Sequence, residues 1–345
     1  MPSIKRIGAL LIVVVAISVL MASGCIDAEA YIDDYVFNPD ASDLCGAVAV
    51  SLVPDSEILY DFKTQEYVIY VNGDLVPFPE TPGDSGFAYA DFSVSSDSGN
   101  EVQGWFIPSV ITPATGTVML NHGSRGTRAC FLSWATWLAQ AGYHVVVYDY
   151  EGFDDSGGQK SVANIVPDAR AVFQWIIQSD DPARQTVVLF GISLGTGPAI
   201  TLADEYSERV PAVVLDSPFV VPSADRIDIE GITGLFVPGI LEAFPDDMDN
   251  AANIKSVQAP ILFLQGTLDT VSLIGDSQKL FQMAPAGSEW VEFESEHVAA
   301  LFVDPQRYQD EVLSFLGRQI TRRLTEWGTK PCTIEPMAAL LAGGG

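Results

Sequence analysis

A serine hydroxyl attacks a carbonyl carbon only when a turn exposes it and a base takes its proton. The run Gly191-Ile192-Ser193-Leu194-Gly195 has the residue types for such a turn. It follows a β-branched apolar run, Thr186–Phe190, and precedes a helical stretch beginning near Pro198. Glycines two before and two after the serine leave no Cβ to strike the neighbouring strand or helix. Such a turn lifts the Ser193 hydroxyl above a sheet edge and aims the Leu194 N–H at an incoming carbonyl oxygen. The helix beneath adds a dipole that favours developing negative charge. The chemistry implied is acyl transfer. An imidazole base must be one of only three histidines, His122, His144 and His297.

The elements that would position these groups are legible from Phe87 onward. Apolar, β-branched runs recur at Tyr89–Ser95, Val102–Pro108, Thr117–Asn121, His144–Tyr148, Thr186–Phe190, Ala212–Leu215, Ile261–Leu264 and Trp290–Phe293. The first pair reads as a hairpin around Asp97–Asn100. Helical stretches separate the later runs, at Phe131–Ala141, Val162–Gln178, Pro198–Ser207 and Ser277–Met283, and Val312–Arg323 closes the series. Strands alternating with helices predict an α/β fold with a mainly parallel sheet covered on both faces. The spacing breaks once. About forty residues between Ser217 and Pro260 lack a strand and carry an apolar patch, from Leu235 to Phe244, flanked by acids. An insertion at a strand's C-terminal end is where such sheets place substrate-covering elements, although an ordinary packed helix fits equally.

The motifs coincide in an order that resembles the serine hydrolases of the α/β-hydrolase superfamily, in particular the single-domain ABHD type, depalmitoylase-like and lysophospholipase-like. Gly104-Trp105-Phe106-Ile107-Pro108 resembles that family's second strand, and Asn121-His122-Gly123-Ser124 its oxyanion loop after the third. Tyr148-Asp149-Tyr150-Glu151-Gly152-Phe153, with Ser156-Gly157-Gly158 after it, resembles the loop after the fourth, and the turn at Ser193 follows the fifth. The resemblance spans Phe87 to Arg323. It implies an eight-stranded, mainly parallel sheet with an antiparallel N-terminal hairpin, helices on both faces and a short insertion after strand six.

The family order is nucleophile, acid, histidine. Only His297 follows Ser193, and it comes just after the last strand. His122 falls in the oxyanion loop, where a packed structural role is the plainer reading, and His144 opens a strand at the remote edge. For the acid, Asp269 follows the strand Ile261–Leu264 in a Gly-x-x-Asp pattern, while Asp216, Asp247 and Asp249 remain competitors. The backbone N–H groups of Leu194 and Ser124 would make the oxyanion hole. Arg125, next in line, reads as a solvated loop charge. No metal or organic cofactor is required.

The 45 acidic and 17 basic side chains give a formal charge of −28, which excludes sequence-independent binding to nucleic acid. It also disfavours an electrostatic grip on anionic lipid. Residues 1–24 read as a leader: Lys5 and Arg6, an apolar run from Ile7 to Leu20, then Ala22-Ser23-Gly24 before Cys25. This resembles a bacterial lipoprotein signal, which implies an exported body held at a membrane by a lipidated Cys25. Cys130 lies in a helical stretch and reads as a buried free thiol, and Cys45 and Cys332 sit in the flanking tails. The expected organisation is leader 1–24, extension 25–86 with a strand at Glu66–Val71, hydrolase domain 87–327 with its insertion at 218–259, and tail 328–345.

Three functions fit. A carboxylic ester or thioester hydrolase acting on a small or lipid-like acyl substrate is preferred. A serine peptidase related to prolyl oligopeptidase is the second, although the residues before Phe87 hold no blade-like repeats. A non-catalytic binding lipoprotein on a hydrolase scaffold is the third.

Overall fold

The structure, a computed structural model, describes residues 56–61, 66–71, 74–76, 79–220 and 244–329. The leader, Cys25, Cys45, Cys332, the patch from Leu235 to Leu241 and most of the tail lie outside the described residues. Eleven strands fall in two sheets among the described residues. β1 (Ser56–Asp61), β2 (Glu66–Val71) and β3 (Asp74–Val76) form an antiparallel sheet in that order. Of these only β2 is readable from sequence.

The main sheet comprises β4 (Ala90–Ser95), β5 (Glu101–Ile107), β6 (Gly116–Asn121), β7 (Tyr143–Tyr148), β8 (Val187–Ile192), β9 (Val213–Asp216), β10 (Ile261–Gly266) and β11 (Glu289–Phe293). Its order is β11-β10-β9-β8-β6-β7-β5-β4. β4 and β5 pair antiparallel, as do β5 and β7; every other neighbouring pair is parallel. The edge strand β4 exposes most of its side chains, whereas every residue of β6 and β8 is buried. Continuous apolar runs at the centre and a mixed edge are what a sheet covered on both faces requires.

The helices are α1 (Leu132–Gln140), α2 (Val162–Ile177), α3 (Thr196–Glu205), α4 (Asn250–Asn253), α5 (Ile274–Met283), α6 (Ala300–Val303) and α7 (Pro305–Thr329). They divide between the two faces. Val118, Leu120, Val188, Phe190, Leu262 and Leu264 pack with α1, α6 and α7, around Trp134, Tyr308 and Phe315. The alternate residues Met119, Leu189, Ile261 and Phe263 pack with α2, α3 and α5, around Phe173, Ile200 and Leu280. That alternation is the pleat of the strands expressed as two core layers. α7 begins seven residues before the expected start. Pro305 sits at its first position, where a missing N–H costs nothing, and its first turns are polar apart from the buried Tyr308.

Parallel order puts the C-terminal ends of β6, β8, β9, β10 and β11 at one edge. The loops that hold Ser124, Ser193, Asp269 and His297 all leave from there, the edge where sheets of this class place ligands.

Candidate active site

The turn after β8 is as tight as its glycines imply. A Cβ on Gly191 would lie 2.6 Å from the Gly195 carbonyl oxygen, and one on Gly195 would lie 2.1 Å from the Asn121 carbonyl oxygen. Ser193 itself adopts φ 52°, a left-handed conformation uncommon outside glycine. Thr196 steadies the turn. Its hydroxyl donates to the Ser193 carbonyl at 2.6 Å and accepts the Phe219 N–H at 3.0 Å.

Ser193 Oγ lies 2.9 Å from His297 Nε2, and His297 Nδ1 lies 2.8 Å from Asp269 Oδ2. Three residues from three loops thus form one hydrogen-bonded line. The carboxylate of Asp269 is buried, the imidazole of His297 is 23% exposed and Ser193 is half-buried, so the line runs from a dry acid to a reachable serine. Asp269 is fixed by its own turn, since its Oδ1 accepts the N–H groups of Val271 and Ser272, both at 2.8 Å. Gly266 permits this turn to approach the last loop, because a Cβ there would lie 2.4 Å from the Ser295 carbonyl oxygen.

The competing acids are placed elsewhere. Asp216 bonds Tyr308 and Ser217. Asp249 caps α4 by accepting from Ala251 and Ala252. Asp247 offers its backbone carbonyl to Thr201 and Asn253. His144 accepts the Ser109 N–H at 3.0 Å and stands 3.2 Å from Asp181, on β7.

The loop after β6 lies against the turn. A Cβ on Gly123 would sit 3.4 Å from Ser193 Cβ. His122 is fully buried between Tyr150, Phe153 and Phe131. Its Nδ1 is 2.7 Å from the Gly123 carbonyl oxygen, so that nitrogen carries the proton and donates. Burial pushes the His122 imidazole down to about 3, and the ring is neutral. It has a structural place under the loop rather than a place in the Ser193–His297 line. Ser124 is half-buried and Arg125 exposed. Leu194 lies in the first turn of the helix, where an N–H has no intrahelical acceptor.

Two features escaped the sequence reading. Arg128 donates its backbone N–H to Asp149 Oδ1 at 2.7 Å and its guanidinium to Oδ2 at 2.6 Å, and it stacks 4.6 Å from the centre of the Trp105 ring. Burial pushes the Asp149 carboxyl up to about 7 against the pull of Arg128. The signal was a cation standing directly before an apolar stretch, Ala129 to Leu132. Cys130, read as a free thiol, is disulfide-bonded. Its partner lies outside the described residues. Pairing depends on contacts between residues distant in sequence, which local periodicity does not encode.

Comparison with known proteins agrees with this architecture. A family model described as "Serine aminopeptidase, S33" matches residues 112–246. A Pyrococcus furiosus esterase of known structure superposes with a TM-score of 0.58 at 22% identity, over 71% of this chain and 96% of the esterase. The fold is therefore the α/β-hydrolase fold. The Escherichia coli K12 protein YfhR, described as uncharacterized, is 26% identical over 72% of this chain and 87% of its own length. Lysophosphatidylserine lipase ABHD12 of Macaca fascicularis is 29% identical over 57% of this chain and 52% of its own length. Within the fold, the chain is thus similar in sequence to a lipase of the ABHD type.

Proposed function

We propose that this hydrolase cleaves carboxylic ester or thioester bonds through an acyl-enzyme formed on Ser193. The line from Ser193 Oγ through His297 to Asp269, with spacings of 2.9 and 2.8 Å, carries the proposal. His297 Nε2 takes the Ser193 proton as Oγ attacks the acyl carbon. Asp269 holds the proton on Nδ1, which fixes the tautomer and favours the imidazolium that forms. The Leu194 and Ser124 N–H groups receive the oxyanion, each such donor being worth about 3 kcal/mol. His297 then protonates the leaving alcohol or thiol, and in the second half-reaction activates the water that releases the acid. No step needs a metal or an organic cofactor.

An apolar acyl group suits the surroundings. Leu268, Val271 and Leu273, on the turn that carries Asp269, are 54%, 66% and 55% exposed. A lipid-like acyl substrate is also consistent with the lipase relative and with an exported body tethered through a lipidated Cys25, which we propose from the leader motif. The decisive comparison is hydrolysis of a chain-length series of nitrophenyl esters beside dipeptide amides, by the protein and by Ser193→Ala. Ester turnover that vanishes with Ser193→Ala is expected. The family match to serine aminopeptidases favours a second reading, peptide hydrolysis, and preferential cleavage of the amides would establish it instead.

A further inference from the structure

Asp216 is the last residue of β9, is fully buried, and has no place in the proton route described above. Its two carboxylate oxygens each accept from a hydroxyl group: Tyr308 donates to Oδ2 at 2.6 Å, and Ser217 donates to Oδ1 at 3.1 Å. The Tyr308 oxygen in turn accepts the indole N–H of Trp134 at 3.1 Å, tying α1 and α7 to the same carboxylate. Burial pushes the Asp216 carboxyl up to about 6, so it is ionised above neutral pH. An ionised carboxylate only accepts, and this fixes the direction of every bond around it. The Ser217 hydroxyl must give its proton to Asp216, and its oxygen is then left to accept. It accepts the Val298 N–H at 3.0 Å.

That last bond falls on a demanding position. Val298 directly follows His297 and adopts φ 59°, a conformation that β-branched residues rarely enter. Ser217 is itself left-handed, at φ 51°. Its backbone N–H donates to the Leu264 carbonyl at 2.9 Å, and its own carbonyl accepts the Ser272 hydroxyl at 3.0 Å. Ser272 belongs to the turn that holds Asp269. Ser217 is therefore bonded at once to the loop of the acid and to the loop of the base.

We propose that Asp216 and Ser217 are a positioning pair: Asp216 orients the Ser217 hydroxyl, and that hydroxyl holds the backbone after His297 so that the imidazole spans Ser193 and Asp269. Neither residue touches substrate. Both act through His297, and the inference rests on the serine-hydrolase reading above. The groups facing the Asp216 carboxylate are Tyr308 from α7, Trp134 beyond it from α1, Ser217, and His297 across the loop.

The test compares Ser217→Ala, Asp216→Asn and the double variant with the parent chain at about pH 8, where Asp216 is ionised. Active sites are titrated with a fluorophosphonate, so that kcat is read per competent site and misfolded protein drops out. Each single variant is expected to lose kcat about 10- to 100-fold through misplacement of the base, with KM essentially unchanged. The double variant is expected to be no worse than the more severe single, because Asp216 works through Ser217. A Ser217→Ala enzyme with parental kcat per site overturns the proposal. So do losses that multiply in the double variant, or a loss confined to the titratable fraction. If Asp216→Asn does not fold, Ser217→Ala alone decides. Ser193→Ala, run alongside, separates the two levels. Activity surviving that change defeats the serine mechanism, whereas its loss beside a fully active Ser217→Ala defeats only the positioning pair.

Discussion

Replacing Gly195 by alanine adds one methyl group at the tightest approach in the site. The new Cβ would stand 2.1 Å from the Asn121 carbonyl oxygen, 2.5 Å from the Asn121 carbonyl carbon and 2.6 Å from the His122 carbonyl oxygen. All three are backbone atoms, so no side chain can swing aside. An ordinary carbon–oxygen contact needs about 3.3 Å, and the end of β6 must therefore retreat from the Ser193 turn by about 1 Å. Gly123 and Ser124 ride on that strand end, so the displacement reaches the space where an oxyanion would sit. A misplacement of about 1 Å in such a site costs about 100-fold in kcat, and the overpacking costs about 1–3 kcal/mol of stability. The assay is ester hydrolysis by Gly195→Ala together with its urea unfolding midpoint. Gly317→Ala serves as the control. An alanine Cβ meets nothing within 4 Å at this exposed position of α7, and the change should stabilise the helix by up to about 1 kcal/mol. Parental activity and stability in Gly195→Ala would refute the reasoning that close approach, rather than chance, put glycine there.

Three further outcomes are expected. Asp269→Asn keeps the acceptor for the Val271 and Ser272 N–H groups but loses the charge facing His297, and kcat should fall by about 10⁴; a loss under tenfold would point to another acid. Asp168 is buried beneath the Ser96 hydroxyl and the Glu151 N–H, and burial raises its carboxyl from 3.8 to about 7. The native state then holds that proton more tightly than the unfolded chain, so this group's contribution to stability should fall as pH rises from about 4 to 7. Asp168→Asn should flatten that slope, as read from urea unfolding across the range, and an unchanged slope would contradict the assignment. Cys25→Ser should move the protein from the membrane fraction to the soluble fraction of a bacterial host. Unchanged membrane association would contradict lipid attachment at that cysteine.

Much of the fold was legible because its strands are of the kind sequence marks best. The central strands β6 and β8 are continuous apolar runs, and all eight expected strands of the main sheet are present, within a residue or two of their bounds. Scarcity did similar service for the site. With three histidines in the chain, order alone pointed to His297, and the structure sets it between Ser193 and Asp269. What could not be read depends on partners distant in sequence. The early start of α7 is carried by Tyr308, whose apolar neighbours lie on other elements. Arg128 is buried because Trp105 on β5 and Asp149 just after β7 meet it from elsewhere in the chain. Asp216 drew notice as a rival acid, and only the folded chain shows its carboxylate turned to Tyr308 and Ser217.

The central claim is that Ser193 is a nucleophile activated by His297. Incubating the protein with a fluorophosphonate and mapping the adduct by peptide mass spectrometry tests it most directly. One adduct per chain on Ser193 is expected, forming at least about 100-fold more slowly in His297→Ala. An adduct on another residue, no adduct at all, or labelling of Ser193 at an unchanged rate without His297 would contradict it.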